Sequence, residues 1–277
     1  MPPSPAWLPL ADRRQLVKPA LSVALAKRFG GEIISADSMQ IYQGLDVGTA
    51  KVTPEEMQGV PHHLVGFLAP EQAFSVADFT TLAEKTITQL TAQGKLPLVV
   101  GGTGLYITSL LNGIGFTPEK VDPTIRQELQ ARLQAEGSQA LYAELAAVDP
   151  GYAAKVHPNN TPRVIRALEL YRATGRKMSA EREAARPAEK PYRSLCLCLA
   201  CRDRTLLYQR IDTRCDRMMQ SGILEEAKLV YDHRDTYRTA AQAIGYKEFF
   251  PYFEEQQTWK AALRTSSRLP AIMPSVS

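Results

Sequence analysis

The chain has 277 residues, a formal net charge of +4, 44% hydrophobic residues and 22% charged residues. These are ordinary proportions for a soluble globular protein, with room for one large domain or two modest ones. The slight positive balance permits a polyanionic partner without demanding one, because a local basic face matters more than the total. No apolar run approaches a membrane span, and the start MPPSPAWLPLADRR lacks the charged lead and apolar stretch of a signal peptide. A cytoplasmic chain with no membrane partner is expected.

In chain order, Leu21, Leu25 and Phe29 recur at helical spacing and predict a helix over residues 20–29. GEIISADS follows as a short apolar strand ending in Asp37 and Ser38. In KLPLVVGGTGLY, Leu96 to Val100 predict a buried strand, Gly101 and Gly102 a tight turn, and Tyr106 onward a helix. YRSLCLCLAC reads as a further strand. The long amphipathic helix DRTLLYQRIDTRCDRMMQSG comes next, with Gly222 as its C-cap. Strands alternating with helices predict an α/β fold with a parallel sheet covered on both faces. Residues 119–189 show no strand-like run. Their Asp-Pro and Thr-Pro starts open helical patterns instead. The expected organisation is a core built from residues 1–118 and 190–277, with a helical insertion at 119–189.

Few residues carry an obvious chemistry. Asp37 lies at a strand end, where open α/β sheets bind ligands. A carboxylate there suits a general base, a metal ligand or a local cap, and position alone does not separate these. GGTGLY brings backbone N–H groups and the Thr103 hydroxyl to a second strand end, although glycine turns also serve sterics alone. Arg163, Arg166 and Arg172 recur along one helical pattern, and Arg210, Arg214 and Arg217 along another. Such faces suit phosphates and also suit plain solvation. Cys196 and Cys198 alternate with leucines, so with Cys201 and Cys215 they are expected as small buried apolar residues rather than zinc ligands. His62 and His63 lack metal-like partner spacing and are expected in a structural turn.

Taken together, GEIISADSMQIYQGLDVGTAK, GVPHHLVGF, FSVADF, LPLVVGGTGLY, HPNNTPRVIRALE and QAIGYKE resemble successive motifs of the bacterial tRNA dimethylallyltransferase family, from about Ala20 to about Gln257. The resemblance implies a P-loop-kinase-like core with a helical insertion that grips the anticodon stem-loop of tRNA. It implies transfer of a dimethylallyl group from dimethylallyl diphosphate to N6 of the adenosine 3′ of the anticodon, with Mg2+ assisting and the protein acting as a monomer. By resemblance Asp37 is the general base and Thr103 helps hold the adenine, while Lys18 and Arg214 contact the diphosphate. The tRNA-contact positions are Asp37, Ser38, Met39, Gln40, Thr103, Arg126, then Pro162, Arg163, Val164, Ile165 and Arg166, and finally Gln242, Ala243, Ile244, Gly245, Tyr246 and Lys247. The metal ligands are not assigned.

The chain departs from the family at its phosphate loop. Where the family has close to Gly-Pro-Thr-Ala-Val-Gly-Lys-Thr, this sequence has Asp12-Arg13-Arg14-Gln15-Leu16-Val17-Lys18-Pro19, and only the lysine matches. Codons for these residues, read one or two bases out of register, can spell most of the family loop. A shifted reading of Arg268 to Ser277 similarly spells a basic family segment. Insertions or deletions in the reading frame are therefore expected at both ends, with the family's final basic and aromatic segment missing after Ser277. The expected consequences are weakened diphosphate binding and loss of the first core strand, since PAWLPLADRRQLV has a weak strand signal. A tRNA binder without chemistry, and an enzyme that prenylates free adenine nucleotides, are the competing functions.

Overall fold

Isoleucine, leucine and valine dominate GEIIS and LPLVVG, and side chains alternate between the two faces of a strand. That alternation organises the core. Ile33, Leu98 and Val100 pack with Val23 and Ala26 on one face. Ile34 and Val99 pack with Phe79, Ala83, Ile87, Ile107 and Leu110 on the other. The computed structural model describes residues 6–11, 18–115, 122–185, 191–199, 203–259 and 261–262, with side chains left out for 6–11, 18, 19 and 123.

The chain opens with β1 (Ala6–Ala11), α1 (Lys18–Phe29), β2 (Gly31–Ser35), α2 (Pro54–Met57), β3 (His62–His63), α3 (Val76–Ala92), β4 (Leu96–Gly101) and α4 (Gly104–Leu111). Five helices follow among the described residues: α5 (Pro123–Glu136), α6 (Ser138–Val148), α7 (Pro150–Ala153), α8 (Thr161–Thr174) and α9 (Met178–Ala184). It returns through β5 (Arg193–Ser194), β6 (Leu197–Cys198), α10 (Arg204–Gln220), α11 (Ile223–Asp232) and α12 (Phe250–Phe253). Two compact units result: Met1–Leu111 with Pro191–Ser277, and Asn112–Lys190.

In the first unit the sheet order is β3-β2-β4-β1-β5, with β6 also beside β1. Every pairing is parallel. From β1 the chain moves across β4 to β2, and from β4 it moves across β1 to β5, so the connections run in opposite directions from these two neighbours, and the strand C-termini at that point form a natural ligand crevice. The fold is α/β with a P-loop-kinase-like core.

Three sequence-based expectations change. First, the weakly signalled N-terminal stretch does form a core strand. Leu8 to Ala11 of β1 pair with Leu98 to Gly101 of β4. The edge of a buried central strand needs hydrogen-bond partners, and that requirement overrides local propensity. Second, YRSLCLCLAC is not one continuous strand but two two-residue strands. Cys196 and Cys198 are exposed rather than buried, Cys215 is half-buried, and Cys201 lies outside the described residues. Among the described residues, no three His, Cys, Asp or Glu side chains gather as a metal site. Third, His62 and His63 form β3 rather than a turn, paired with Ile33 and Ile34. His63 and Lys95 both pair with Glu32. Gly222 lies one residue past the C-cap Ser221, at φ +92°, where the chain turns from α10 into α11.

A third apolar cluster joins Ile41, Tyr42 and Leu45 to Ile223, Ala227, Val230, Tyr246 and Phe249. Glu226 anchors its rim. One carboxylate oxygen accepts the N–H groups of Asp46 at 2.7 Å and Val47 at 2.9 Å. The other accepts the Gly48 N–H and the Tyr246 hydroxyl, both at 2.7 Å. A Cβ at Gly48 would lie 2.5 Å from the Tyr246 ring, so this contact requires glycine. Glu226→Ala strands four donors and is expected to destabilise the protein by about 3 kcal/mol, on the scale of lost hydrogen bonds to a charged group. Chemical denaturation of the two proteins checks this.

The second unit packs Leu129, Leu141, Leu145, Tyr152, Val164, Ile165 and Leu168 into its own core. Its helix starts follow from sequence. Asp122 caps α5 by accepting the Thr124 N–H, with proline in the first turn. The buried Asp149 accepts the N–H groups of Tyr152 and Ser179. Burial alone would raise its pKa, but those bonds and Lys177 hold the carboxyl below the ordinary value.

Candidate active site

The site is built where β2 and β4 end. The ladder continues past both strands: the Ala36 N–H donates to Val100 O at 2.8 Å, and the Thr103 N–H donates to Ala36 O at 3.1 Å. This close approach is possible because residue 101 is glycine. A Cβ there would sit 2.0 Å from Ala36 O. Gly101→Ala is expected to force these strand ends apart, costing about 3 kcal/mol of stability on the scale of a forced overpacking. Thermal unfolding compared with wild type measures it.

The crossing sets Asp37 beside Thr103. Asp37 is 8% exposed, and its Oδ1 accepts the N–H groups of Met39 at 2.9 Å and Gln40 at 3.3 Å. The Thr103 hydroxyl accepts the Ser38 N–H at 2.9 Å and donates to Ser38 Oγ at 3.2 Å. The capping and chemical readings of Asp37 are therefore compatible. The carboxylate fixes the turn that carries Ser38, Met39 and Gln40, and it also lines a pocket with Ser22, Ser35, Gln40, His62 and Gly101. Gln40 donates to Thr49 O and Ala50 O, tying the turn to the loop anchored by Glu226. Ala50, which lines the same pocket, holds φ at +46°. Such local strain is characteristic of functional sites.

His62 enters the pocket without any signal in sequence spacing. Burial pushes its imidazole below the ordinary value, partly opposed by the hydrogen bond to Val60 O. That carbonyl, 2.8 Å from Nδ1, can only accept, so Nδ1 carries the proton and Nε2 is left as an acceptor. On α10, burial lowers the pKa of the Arg214 guanidinium, while Cys215 and the Asp37 carboxylate act in the opposite direction. Arg214 thus lies within the field of Asp37. Lys18 opens α1, but its side chain, and the whole span 12–17, lie outside the described residues, as does 263–277 at the other end.

The positions expected from the resemblance to contact tRNA fall into different environments. In the first unit Gln242, Ile244 and Lys247 are exposed, Ala243 is half-buried, and Gly245 turns at φ +105°. Tyr246 is 0% exposed, with its hydroxyl on Glu226. In the second unit Pro162, Arg163, Arg166 and Arg126 are exposed, whereas Val164 and Ile165 belong to the core. The side chains of Val164, Ile165 and Tyr246 therefore act through packing rather than outward contact. The sequence pattern missed two acids, Glu169 and Glu226. Glu169 had a signal: it is a lone acid among the apolar residues of a core-facing stripe on α8.

A parallel sheet with this order, a carboxylate at the end of β2 and a glycine turn carrying a hydroxyl at the end of β4 define an α/β protein with a P-loop-kinase-like core and a ligand site at its strand ends. The IPP transferase family model matches residues 40–268. A tRNA dimethylallyltransferase of Bacillus subtilis is 49% identical over 237 residues, covering 86% of this chain and 75% of its own. The crystal structure of a full-length tRNA isopentenylpyrophosphate transferase from Bacillus halodurans aligns with a TM-score of 0.66 at 40% identity, over 96% of this chain and 83% of that one. A eukaryotic dimethylallyltransferase captured acting on tRNA aligns with a TM-score of 0.79 at 29% identity, over 96% of this chain and 67% of that one. This chain belongs to the IPP transferase family.

Proposed function

We propose that this protein transfers the dimethylallyl group of dimethylallyl diphosphate to N6 of the adenosine 3′ of the anticodon in tRNA, as a cytoplasmic monomer. The observation that carries the reading is Asp37, the one carboxylate among the described residues lining the pocket, held beside the Thr103 hydroxyl by the zipped strand ends. An exocyclic amine is a weak nucleophile. As N6 bonds to the allylic carbon and the carbon–oxygen bond to diphosphate breaks, a carboxylate at N6 takes the proton. The target base must leave its stack to reach a pocket of this kind. Ser38, Met39 and Gln40, fixed by Asp37, would line its path, and Thr103 would hold the adenine. Arg214 and Lys18 would meet the charge growing on the diphosphate.

Magnesium fits this donor set. It binds substrate phosphates and keeps several waters, and the hydroxyls of Ser22 and Ser35 that line the same pocket would hold it through those waters while Asp37 serves N6. When bound it supplies neutralising charge to the diphosphate. One observation favours a second reading, a tRNA binder without chemistry: Asp12 to Pro19 contains no glycine to cradle phosphates.

Acceptor competition separates tRNA from free nucleotides. With labelled dimethylallyl diphosphate and magnesium, label is expected in an anticodon stem-loop and not in AMP or ATP at equal concentration. Label in the free nucleotides instead would replace this reading with the nucleotide-prenylating one.

A further inference from the structure

Among the described residues the second unit contains two Arg–Glu–Arg clusters, and their net charge separates them. In the first, Arg126 of α5 grips Glu169 of α8 with both ends of its fork: Nε at 2.9 Å from one carboxylate oxygen and Nη2 at 2.8 Å from the other. Arg166, one turn before Glu169 on α8, adds Nη1 at 2.8 Å. In the second, Arg132 and Arg172 share Glu144, and Arg132 also holds Glu136 in a bidentate pair. The second cluster has two arginines for two acids. It is electrically balanced and clasps α5, α6 and α8. The first has two arginines for one acid.

Burial differs in the same direction. The Glu169 side chain is 5% exposed, while Arg126 and Arg166 are 50% and 48% exposed. Burial alone would raise the Glu169 pKa. The hydrogen bonds from Arg126 and Arg166 outweigh it and hold the carboxyl below its ordinary value, so the acid is charged at neutral pH. A buried carboxylate thus fixes two half-exposed guanidiniums at one place. Each keeps most of its N–H donors for other acceptors, and the cluster carries an uncompensated positive charge. A buried anchor that fixes long cationic side chains removes the entropy they would lose on binding an anion.

We infer that Glu169 is a positioning residue that holds Arg126 and Arg166 as a prepared pair for RNA backbone phosphate. This rests on the tRNA reading proposed above. It leads to a result opposite in sign to that of charge alone. Glu169→Gln removes a negative charge from a basic surface, which by charge alone tightens binding to a polyanion. A positioning role requires the reverse.

The experiment measures binding of the full chain to an unmodified tRNA by fluorescence anisotropy at several salt concentrations. Glu169→Gln is expected to weaken binding about tenfold and to reduce the slope of affinity against salt by about one phosphate contact. In an Arg126→Gln/Arg166→Gln background, adding Glu169→Gln is expected to change nothing further, because the residue acts through the arginines. This triple variant leaves no buried charge unpaired, which keeps the test available if Glu169→Gln alone unfolds. A folded Glu169→Gln protein that binds tRNA as tightly as wild type or tighter overturns the positioning role. So does the same loss of affinity with the arginines absent. Failure of wild type itself to bind tRNA would instead overturn the tRNA reading.

Discussion

Asp37→Asn is expected to lower the prenyl-transfer rate by about 10²- to 10⁴-fold, the usual contribution of a general base, with tRNA affinity largely unchanged. Asparagine is the informative substitution because Asp37 does two things. Its Oδ1 accepts the Met39 and Gln40 N–H groups, and an amide oxygen keeps those bonds while abolishing the basicity. Asp37→Ala loses both, so the same fall in rate should come with a further stability loss of about 1 kcal/mol, the usual cost of a missing local cap. Single-turnover assays with saturating tRNA, alongside thermal unfolding, separate the two effects. Full activity in the asparagine variant would show that Asp37 is only a turn former.

The second large effect concerns the phosphate end of the pocket. Replacing Asp12 to Pro19 with the family sequence Gly-Pro-Thr-Ala-Val-Gly-Lys-Thr is expected to tighten binding of dimethylallyl diphosphate by about 10³-fold. The estimate takes a few charge-assisted hydrogen bonds at about 1.5–3 kcal/mol each. The last two residues of the span, Lys18 and Pro19, open α1, which has no acidic residue in its first turn. Backbone N–H groups delivered to such a helix start form an anion site. The span as it stands has no glycine, and Pro19 has no N–H to offer. Calorimetric titration of both proteins with the diphosphate checks this. Equal affinities would mean that the existing span binds phosphate in some other way.

Much of the sheet was legible because its signals are local. Ile33, Ile34, Leu98, Val99 and Val100 form uninterrupted apolar runs, as strands buried on both faces do, and the glycine turn after β4 announces a close approach. The Asp-Pro start of α5 and the Thr-Pro start of α8 likewise fix those helices from within. What sequence did not show depends on distant partners. β1 forms because β4 offers an open edge, although Ala6 to Ala11 is a poor strand by itself. Cys196 and Cys198 alternate like strand residues, yet the segment forms only two short pairings beside β1 and leaves both exposed. His62 looked like part of a turn until β2 recruited it as an edge partner, and that placed it in the pocket.

The acids show the same limit more sharply. Glu226 reads as an ordinary acidic residue in the first turn of α11. Its carboxylate instead holds a loop up to 180 positions away in sequence and the hydroxyl of Tyr246. Tyr246 and the pair Val164 and Ile165 sit within contact motifs, so sequence alone puts them on a binding surface. Their burial shows that part of each motif packs inward while another part faces outward. Periodicity identifies a face, but only the fold says which face is covered.

The most direct test of the central claim is a prenyl-transfer assay. The chain is mixed with magnesium, dimethylallyl diphosphate well above the weak affinity expected of its phosphate end, and unmodified tRNA. The tRNA is then digested and its nucleosides resolved by mass spectrometry. N6-dimethylallyladenosine is expected from wild type, absent with Asp37→Asn and formed at lower diphosphate concentration once the loop is restored. Wild-type and loop-restored proteins that both bind tRNA yet form no prenylated adenosine would contradict that claim.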